Sequence, residues 1–380
     1  MKVFRFLQNL RIGKIGFVVC FFLFFFVGIH FVFPNVISPN KLSGVEDPIR
    51  EPELTISKWF NCEFQSSFTD WFNRMLPDRP NLIRLKNQFL FSVFNQSTTY
   101  VLVGKNNQLF AYNYFPSFRG FDCLGKEHWD EMAQKVGAIR DTLDTMGIPL
   151  LVVIAPNKVR FMPENLPDHL KRIPGKTTNE SLMKESFSKL DIPILDLNSI
   201  FVSNKESFEY APFPNTGAHW NIYGSLIGFD SIQSRIQDLL GEKLNRIRWK
   251  TGVVLDSVIE TDTELSEGLN LFFPPATEKQ FFPKTQDFDP SSFKPNVLII
   301  GDSFYWIFNS TKVNYKIFSS KFSFWYYNST CYDLNHGQIP VSTLDVWDEI
   351  RNRDAIILLA TESNLSDFPF GFEEILGKIN

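Results

Sequence analysis

The sequence has few histidines, few cysteines and no surplus of basic charge. Its 380 residues include 5 His and 4 Cys, and 38 Lys plus Arg stand against 42 Asp plus Glu, a net charge of −4. Without a basic excess there is little to neutralise phosphates, which argues against a nucleic-acid partner. Cys20 lies inside the one long apolar run. That leaves Cys62, Cys123 and Cys331, an odd number that excludes a full disulfide framework while leaving one bridge among the three open. No Cys-x-x-Cys or His-x-x-x-His pair gives metal-ligand spacing, so no metal is expected. Low complexity is absent too. A hydrophobic content of 44%, with 16% aromatic residues, suffices for a packed core in one or two domains.

The apolar run is Ile15–Phe33, uncharged throughout. At about 1.5 Å per residue it reaches about 28 Å, close to the roughly 30 Å hydrocarbon core of a bilayer. Lys2, Arg5, Arg11 and Lys14 precede it, and no basic residue follows before Lys41. This bias predicts a cytoplasmic tail (1–14), a single transmembrane helix (15–33) in the inner, cytoplasmic membrane, and an exported remainder. A cleaved signal peptide is the rival, but no small-x-small site follows the run. Val18 and Val19 before Cys20 speak against a lipoprotein site.

Residues 34–54 read as a linker, Pro-rich and polar over 34–52. The exported domain is then 55–380, with 55–120 as its N-terminal extension. Apolar spacing over 55–95 predicts helix, through Trp59, Phe60, Phe64, Phe68, Trp71 and Phe72. Short β-like runs begin at Thr99. Further on, helical patterns at 127–147, 180–190, 222–240 and 343–352 alternate with the apolar runs Leu150–Ala155, Ile192–Leu197, Val297–Ile300 and Ala355–Ala360. Such alternation predicts an α/β fold with a mostly parallel sheet covered on both faces, and ligands beyond the strands' carboxyl ends. Residues 253–296 look irregular, an insertion or long loop.

Four segments stand where chemistry is expected. Val297–Ile300 runs into Gly301-Asp302-Ser303, which sets a serine at a strand's carboxyl end; Gly301 would permit a tight turn, and Asp302 and Ser303 would equally serve as a helix cap. A serine hydroxyl needs a base at neutral pH. His219 stands in a loop before the 222–240 helix, whereas His30 is in the apolar run, and His128, His169 and His336 fall in surface-like positions. Asn157, Lys158 and Arg160 follow one strand, a polar cluster able to hold an anionic or sugar ligand or simply a solvated loop. Glu362 and Asn364 follow another and could face the same cleft.

Together these segments resemble the alginate O-acetyltransferase family, whose domain has a three-layer SGNH-hydrolase-like fold. The resemblance covers most of residues 65–380. It is carried by Asp70-Trp71 to Arg79, by Gly104-Lys105 to Leu109-Phe110, by Pro156-Asn157-Lys158 with Pro163-Glu164-Asn165-Leu166-Pro167, by His219-Trp220 with Gly224, and by Gly301-Asp302-Ser303-Phe304. His219 precedes Ser303, the permuted order of the polysaccharide acetyltransferases. The family hairpin's Asp, Gly and Trp are replaced by Asn106, Asn107 and Gln108, and one departure bears on the chemistry: where the family has an aspartate two residues before the histidine, this chain has Gly217.

The resemblance implies a Ser303 nucleophile with His219 as base, supported by Gly301, Asp302 and Glu362, and substrate contacts from Asn157, Lys158, Arg160 and Trp220. It implies a polysaccharide acceptor in the periplasm, no resident cofactor, and a multi-pass membrane O-acyltransferase partner that delivers acetyl groups across the bilayer. Gly217 leaves three readings. Another group (Asp302, Asp333, Glu362 or a carbonyl) orients His219; or a Ser–His dyad works alone; or the chain is a non-catalytic polysaccharide-binding subunit. An exported esterase would use the same residues.

Overall fold

The computed structural model describes residues 16–18, 21, 22, 25, 41–44, 50–76, 78–171, 176–256 and 259–378. Among these, no helix is long and apolar enough to cross a membrane. The expected tail 1–14 lies outside the described residues. So do most of the expected span 15–33 and most of the linker.

The chain divides into two compact units, Met1–Thr98 with Glu267–Pro274, and Thr99–Ser266 with Pro275–Asn380. The first unit is helical: α1 (Ile56–Phe60), α2 (Glu63–Met75) and α3 (Arg79–Phe94). Thr55 caps α1 by accepting the Lys58 N–H, and Asn95 ends α3 in the left-handed conformation that asparagine tolerates.

The second unit begins with a hairpin, β1 (Val101–Val103) and β2 (Leu109–Ala111), turned by Asn106 and Asn107 at positive φ. The main elements after it are α4 (Lys126–Thr145), β3 (Leu150–Ala155), α5 (Asn179–Ser188), β4 (Ile194–Asp196) and α6 (Ile222–Leu240). Then come β5 (Trp249–Leu255), α7 (Glu260–Gly268), β6 (Gln280–Thr285) and β7 (Val297–Gly301). The chain ends with α8 (Trp306–Thr311), β8 (Ser323–Tyr326), β9 (Thr330–Asp333), β10 (Gly337–Pro340), α9 (Val346–Arg351) and β11 (Ala355–Thr361).

Seven strands form the central sheet in the order β10-β9-β8-β7-β11-β3-β4. The five from β8 to β4 are parallel, and β9 and β10 extend the edge as an antiparallel meander. The sheet is therefore mixed. Every residue of β3, β7 and β11 is buried, as strands covered on both faces must be. Alternate positions Leu150, Val152, Ile154, Leu298, Ile300, Ile356 and Leu358 join Trp129, Val136 and Phe187 of α4 and α5 in one core cluster. The region 253–296 is not wholly irregular: β5 and β6 pair antiparallel around α7. The aromatic strands β8 and β9 have no counterpart in the sequence reading.

Candidate active site

Ser303 begins a short 3-10 turn directly after β7. Gly301 is needed there for proximity rather than for a turn: a Cβ on it would lie 2.8 Å from the Leu359 carbonyl of β11. Asp302, fully buried, does not face His219. Its Oδ1 accepts the Phe304 N–H (3.0 Å), and its Oδ2 accepts from Thr361 N (2.7 Å), Thr361 Oγ1 (2.9 Å) and Asn364 Nδ2 (2.8 Å). The carboxylate thus ties the serine turn to the end of β11, which fixes the serine's position.

His219 Nε2 lies 2.8 Å from Ser303 Oγ, and His219 Nδ1 lies 2.7 Å from Glu264 Oε1. Glu264 comes from α7, and its Oε1 also accepts the Ala218 N–H at 2.9 Å. None of Asp302, Asp333 or Glu362 occupies that place. Asp333 is engaged with Ser323, Cys331 and His336 instead. Gly217 and Glu264 are linked by sterics. A Cβ at 217 would meet the Thr261 carbonyl at 2.3 Å and Asp262 Cα at 3.1 Å. The backbone that delivers Glu264 fills the space a side chain at 217 would need. Thr216 holds that backbone: its carbonyl accepts the Leu265 and Ser266 N–H groups, and its hydroxyl donates to the Asp262 carbonyl at 2.6 Å.

Burial of His219 disfavours its charge, but the Glu264 hydrogen bond and the Glu264 and Asp302 charges outweigh it, so the imidazole pKa is raised above 6.5. Asp262 is pushed up to about 6 by burial, offset by the Ile259 N–H, with the Glu264 charge adding to the rise. A carboxylate–imidazole–hydroxyl chain is the arrangement that makes a serine nucleophilic.

One N–H and one hydroxyl border the serine. The Ser303 N–H has no acceptor among the described residues. The Tyr327 hydroxyl lies near Ser303 and accepts from Asn364 Nδ2 at 3.3 Å. Tyr327 sits in the β8–β9 turn at φ 48°, beside Asn328 at φ 50°. A left-handed tyrosine costs about 1–2 kcal/mol. Its N–H bond to the Gly301 carbonyl (2.9 Å) holds it in place. Burial, aided by the Asp302 charge, raises its phenol pKa, so the hydroxyl stays a donor. A cavity of about 380 Å³ opens on this centre, lined by His219, Thr261, Glu264, Ser303, Trp306 and Asn309.

The remaining expected site residues serve the scaffold. Trp220 is fully buried and donates Nε1–H to the Phe304 carbonyl (3.1 Å), joining the histidine loop to the serine turn. Lys158, also buried, directs its ammonium at the carbonyls of Leu109 (2.8 Å), Pro214 (2.6 Å), Asn215 (3.2 Å) and Gly217 (2.9 Å). It therefore organises the His219 loop instead of meeting a ligand. Burial pushes it down to about 7, with Glu264 and Glu278 opposing, and the carbonyl cage favours the charged form. Asn157 caps the next turn and donates to Glu362 (3.3 Å). Glu362 is buried under Arg160, which also pairs with Glu180 at 2.8 Å. Arg160 does border a second cavity of about 360 Å³, with Phe118, Asn198, Ser199 and Val202. Asn364 binds Asp302, as above.

Cys62, Cys123 and Cys331 are all free. Cys331, Asp333 and His336 place one ligand atom each within 4.8 Å of one another. Asp333 Oδ2 there already accepts hydrogen bonds from Ser323 (2.7 Å) and Cys331 (3.3 Å) and lies 2.9 Å from His336 Nδ1.

Solved structures similar to this chain include the O-acetyltransferase domain of Pseudomonas putida AlgJ, at 15% identity over 70% of this chain and 92% of that one, with a TM-score of 0.47. Bacillus cereus PatB1 aligns at 14% identity over 72% and 99%, TM-score 0.42. Pseudomonas aeruginosa AlgX aligns at 15% over 69% and 55%, TM-score 0.39. No curated protein sequence matches the chain. The family model for the SGNH hydrolase-like domain of the acetyltransferase AlgX matches residues 101–304, more than half of the sequence and both His219 and Ser303, and the chain belongs to that family.

Proposed function

We propose that the protein is a membrane-anchored O-acetyltransferase that transfers acetyl groups to hydroxyls of an exported polysaccharide through an acyl-serine. The observation that carries this reading is the continuous Glu264–His219–Ser303 chain beneath an open cavity. His219 takes the Ser303 proton as Oγ attacks the donor's acetyl carbonyl. The new bond is Oγ–C; the donor's acyl bond breaks, and the leaving group takes the proton from His219. In the second half an acceptor hydroxyl gives its proton to His219 as it attacks the acyl carbon, and the Ser303 Oγ–C bond breaks with Oγ taking the proton back from His219. The Ser303 N–H and the Tyr327 hydroxyl stabilise the tetrahedral oxyanion of both steps.

The Ile15–Phe33 run anchors the protein in the inner membrane and leaves the catalytic unit in the periplasm. An acetyl donor must then reach the site from across the bilayer, the role of a multi-pass membrane acyltransferase partner. Glu264 supports an active enzyme over a non-catalytic subunit, because it supplies the acid whose absence at Gly217 motivated that alternative.

The test is intact-mass analysis of the detergent-purified full chain after exposure to an activated acetyl ester. One acetyl adduct in wild type, lost in Ser303→Ala, is expected; an adduct that survives in Ser303→Ala contradicts the acyl-serine. Added oligosaccharide should discharge the adduct faster than water does. Equal rates would make the enzyme an esterase.

A further inference from the structure

Between Arg50 and Thr98 the only buried side chains among the described residues are Asp78 and Asn87. The aromatics of this unit instead form a stripe that is only partly covered, with Trp59, Phe60, Phe68 and Phe72 exposed and Phe64 and Trp71 half-buried. Phe64, Phe68 and Trp71 recur at i, i+4 and i+7 of α2, which is one helical face. Their rings run on from Trp59 with centroids 5.9, 5.8 and 5.7 Å apart. The opposite face of α2 carries Ser66, Thr69, Asp70 and Asn73. In α3, Leu85, Phe89 and Val93 make a second exposed stripe at i, i+4 and i+8. Phe60 is 81% exposed, Phe89 and Val93 58% each, and Phe68 42%. So large an apolar face is not left to water without an occupant.

The position of the unit on the chain identifies that occupant. Arg84 Nη2 donates to the Lys41 carbonyl at 2.7 Å. Ser43 N donates to Asn270 Oδ1 at 2.7 Å, and Asn270 Nδ2 donates back to the Ser43 carbonyl at 3.0 Å. The helical unit is thereby pinned to residues 41–43, only eight residues after the apolar run ends at Phe33. Eight extended residues span at most about 29 Å. A unit held that close to the bilayer can lay its aromatic face into the interface, where amphipathic helices bury their apolar side by about 5–10 Å and tryptophan is favoured. The polar side of α2 carries Glu63, Asp70 and Arg74. With Arg79, Arg84 and Lys86 on α3 the net charge of the two helices is small, so apolar area is the main driving force and anionic lipid is not required.

Resting on the anchoring reading above, we infer that α2 and α3 form an amphipathic platform lying in the outer interface of the membrane that the Ile15–Phe33 segment enters, its occupant being the lipid surface itself. The platform would hold the catalytic unit close to that membrane.

The test uses the full chain, its native cysteines replaced by alanine, in phosphatidylcholine vesicles, with an environment-sensitive fluorophore on one introduced cysteine. Labels go at Phe25→Cys in the apolar run, Phe68→Cys and Phe89→Cys on the proposed face, and Ser66→Cys and Asn73→Cys on the polar face. Quenching by nitroxide-bearing lipids should be several-fold stronger at 25, 68 and 89 than at 66 and 73, and unchanged by salt. Quenching at 25 with none at 68 and 89 overturns the platform and leaves the anchor standing. No quenching at 25 overturns the anchor first. Labels at 68 and 89 that lipid never reaches, but that a co-expressed membrane protein shields from aqueous iodide, overturn the lipid surface in favour of a protein partner.

Discussion

The two units handle the same kind of residue in opposite ways. In the second, Trp129, Trp220, Trp325, Phe229 and Phe308 are fully buried among the sheet and its helices. In the first, Trp59, Phe60, Phe68 and Phe89 are exposed. An aromatic-rich composition alone therefore says little about where the core is. What separates the units is the sheet: β3, β7 and β11 present two apolar faces that helices must cover, whereas α2 and α3 have no such partner among the described residues of their own unit. The first unit is an apolar surface, and the second is a rigid frame for a polar site.

The largest effect that could break this contrast lies in the frame. Ser303→Ala should lower the acyl-transfer rate by about a million-fold while leaving the thermal melt unchanged. Glu264→Gln should cost roughly 10³–10⁴ in kcat, because the imidazole loses its orienting acceptor. Tyr327→Phe should cost about 10²–10³, the usual penalty for one oxyanion donor, with little change in KM. A Tyr327→Phe enzyme of wild-type rate would remove that hydroxyl from the mechanism.

Stability sharpens the contrast further. Trp325→Ala should destabilise the second unit by about 3–5 kcal/mol in denaturant unfolding. Lys158→Met leaves the carbonyls of Leu109, Pro214, Asn215 and Gly217 without their donor and should cost roughly 3 kcal/mol. Phe68→Ala should stay within about 0.5 kcal/mol in detergent, since an exposed ring leaves no cavity. A large loss there would mean that the ring is part of a core.

Much of the second unit was legible because buried parallel strands write continuous apolar runs. Leu150–Ala155, Val297–Ile300 and Ala355–Ala360 fall within or coincide with β3, β7 and β11. Ser303 and His219 could be read from strand-end position and loop position, and they meet at 2.8 Å. Glu264 could not. The segment Glu260–Gly268 (ETDTELSEG) is mostly polar and carries no apolar stripe, so nothing marked it as a helix. The one trace was Gly217, an absence that becomes meaningful only when the backbone of 261–262 is seen to fill its space. Tyr327 was hidden differently: in Phe324-Trp325-Tyr326-Tyr327 the aromatics ran on, and the hairpin turn at Tyr327-Asn328 lacks the glycine that usually signals one. Lys158 and Arg160 looked like ligand contacts because a sequence shows charge but not the carbonyls and carboxylates that will surround it.

An acid from α7, Glu264, stands in for the one missing beside the histidine. The most direct measurement is the pH–rate profile of acyl transfer for wild type and Glu264→Gln. His219 is the base only when neutral, so the rate should rise with pH through its raised pKa, with a midpoint above 6.5. The same shift means that the stabilisation His219 gains from Glu264 is present below pH 6.5 and is lost as pH climbs through the folded pKa. Removing the Glu264 charge leaves burial to dominate, so the midpoint should fall in Glu264→Gln as the plateau drops by about 10³–10⁴. An unchanged midpoint and plateau in Glu264→Gln would contradict the claim and leave Ser303 and His219 to work without that carboxylate.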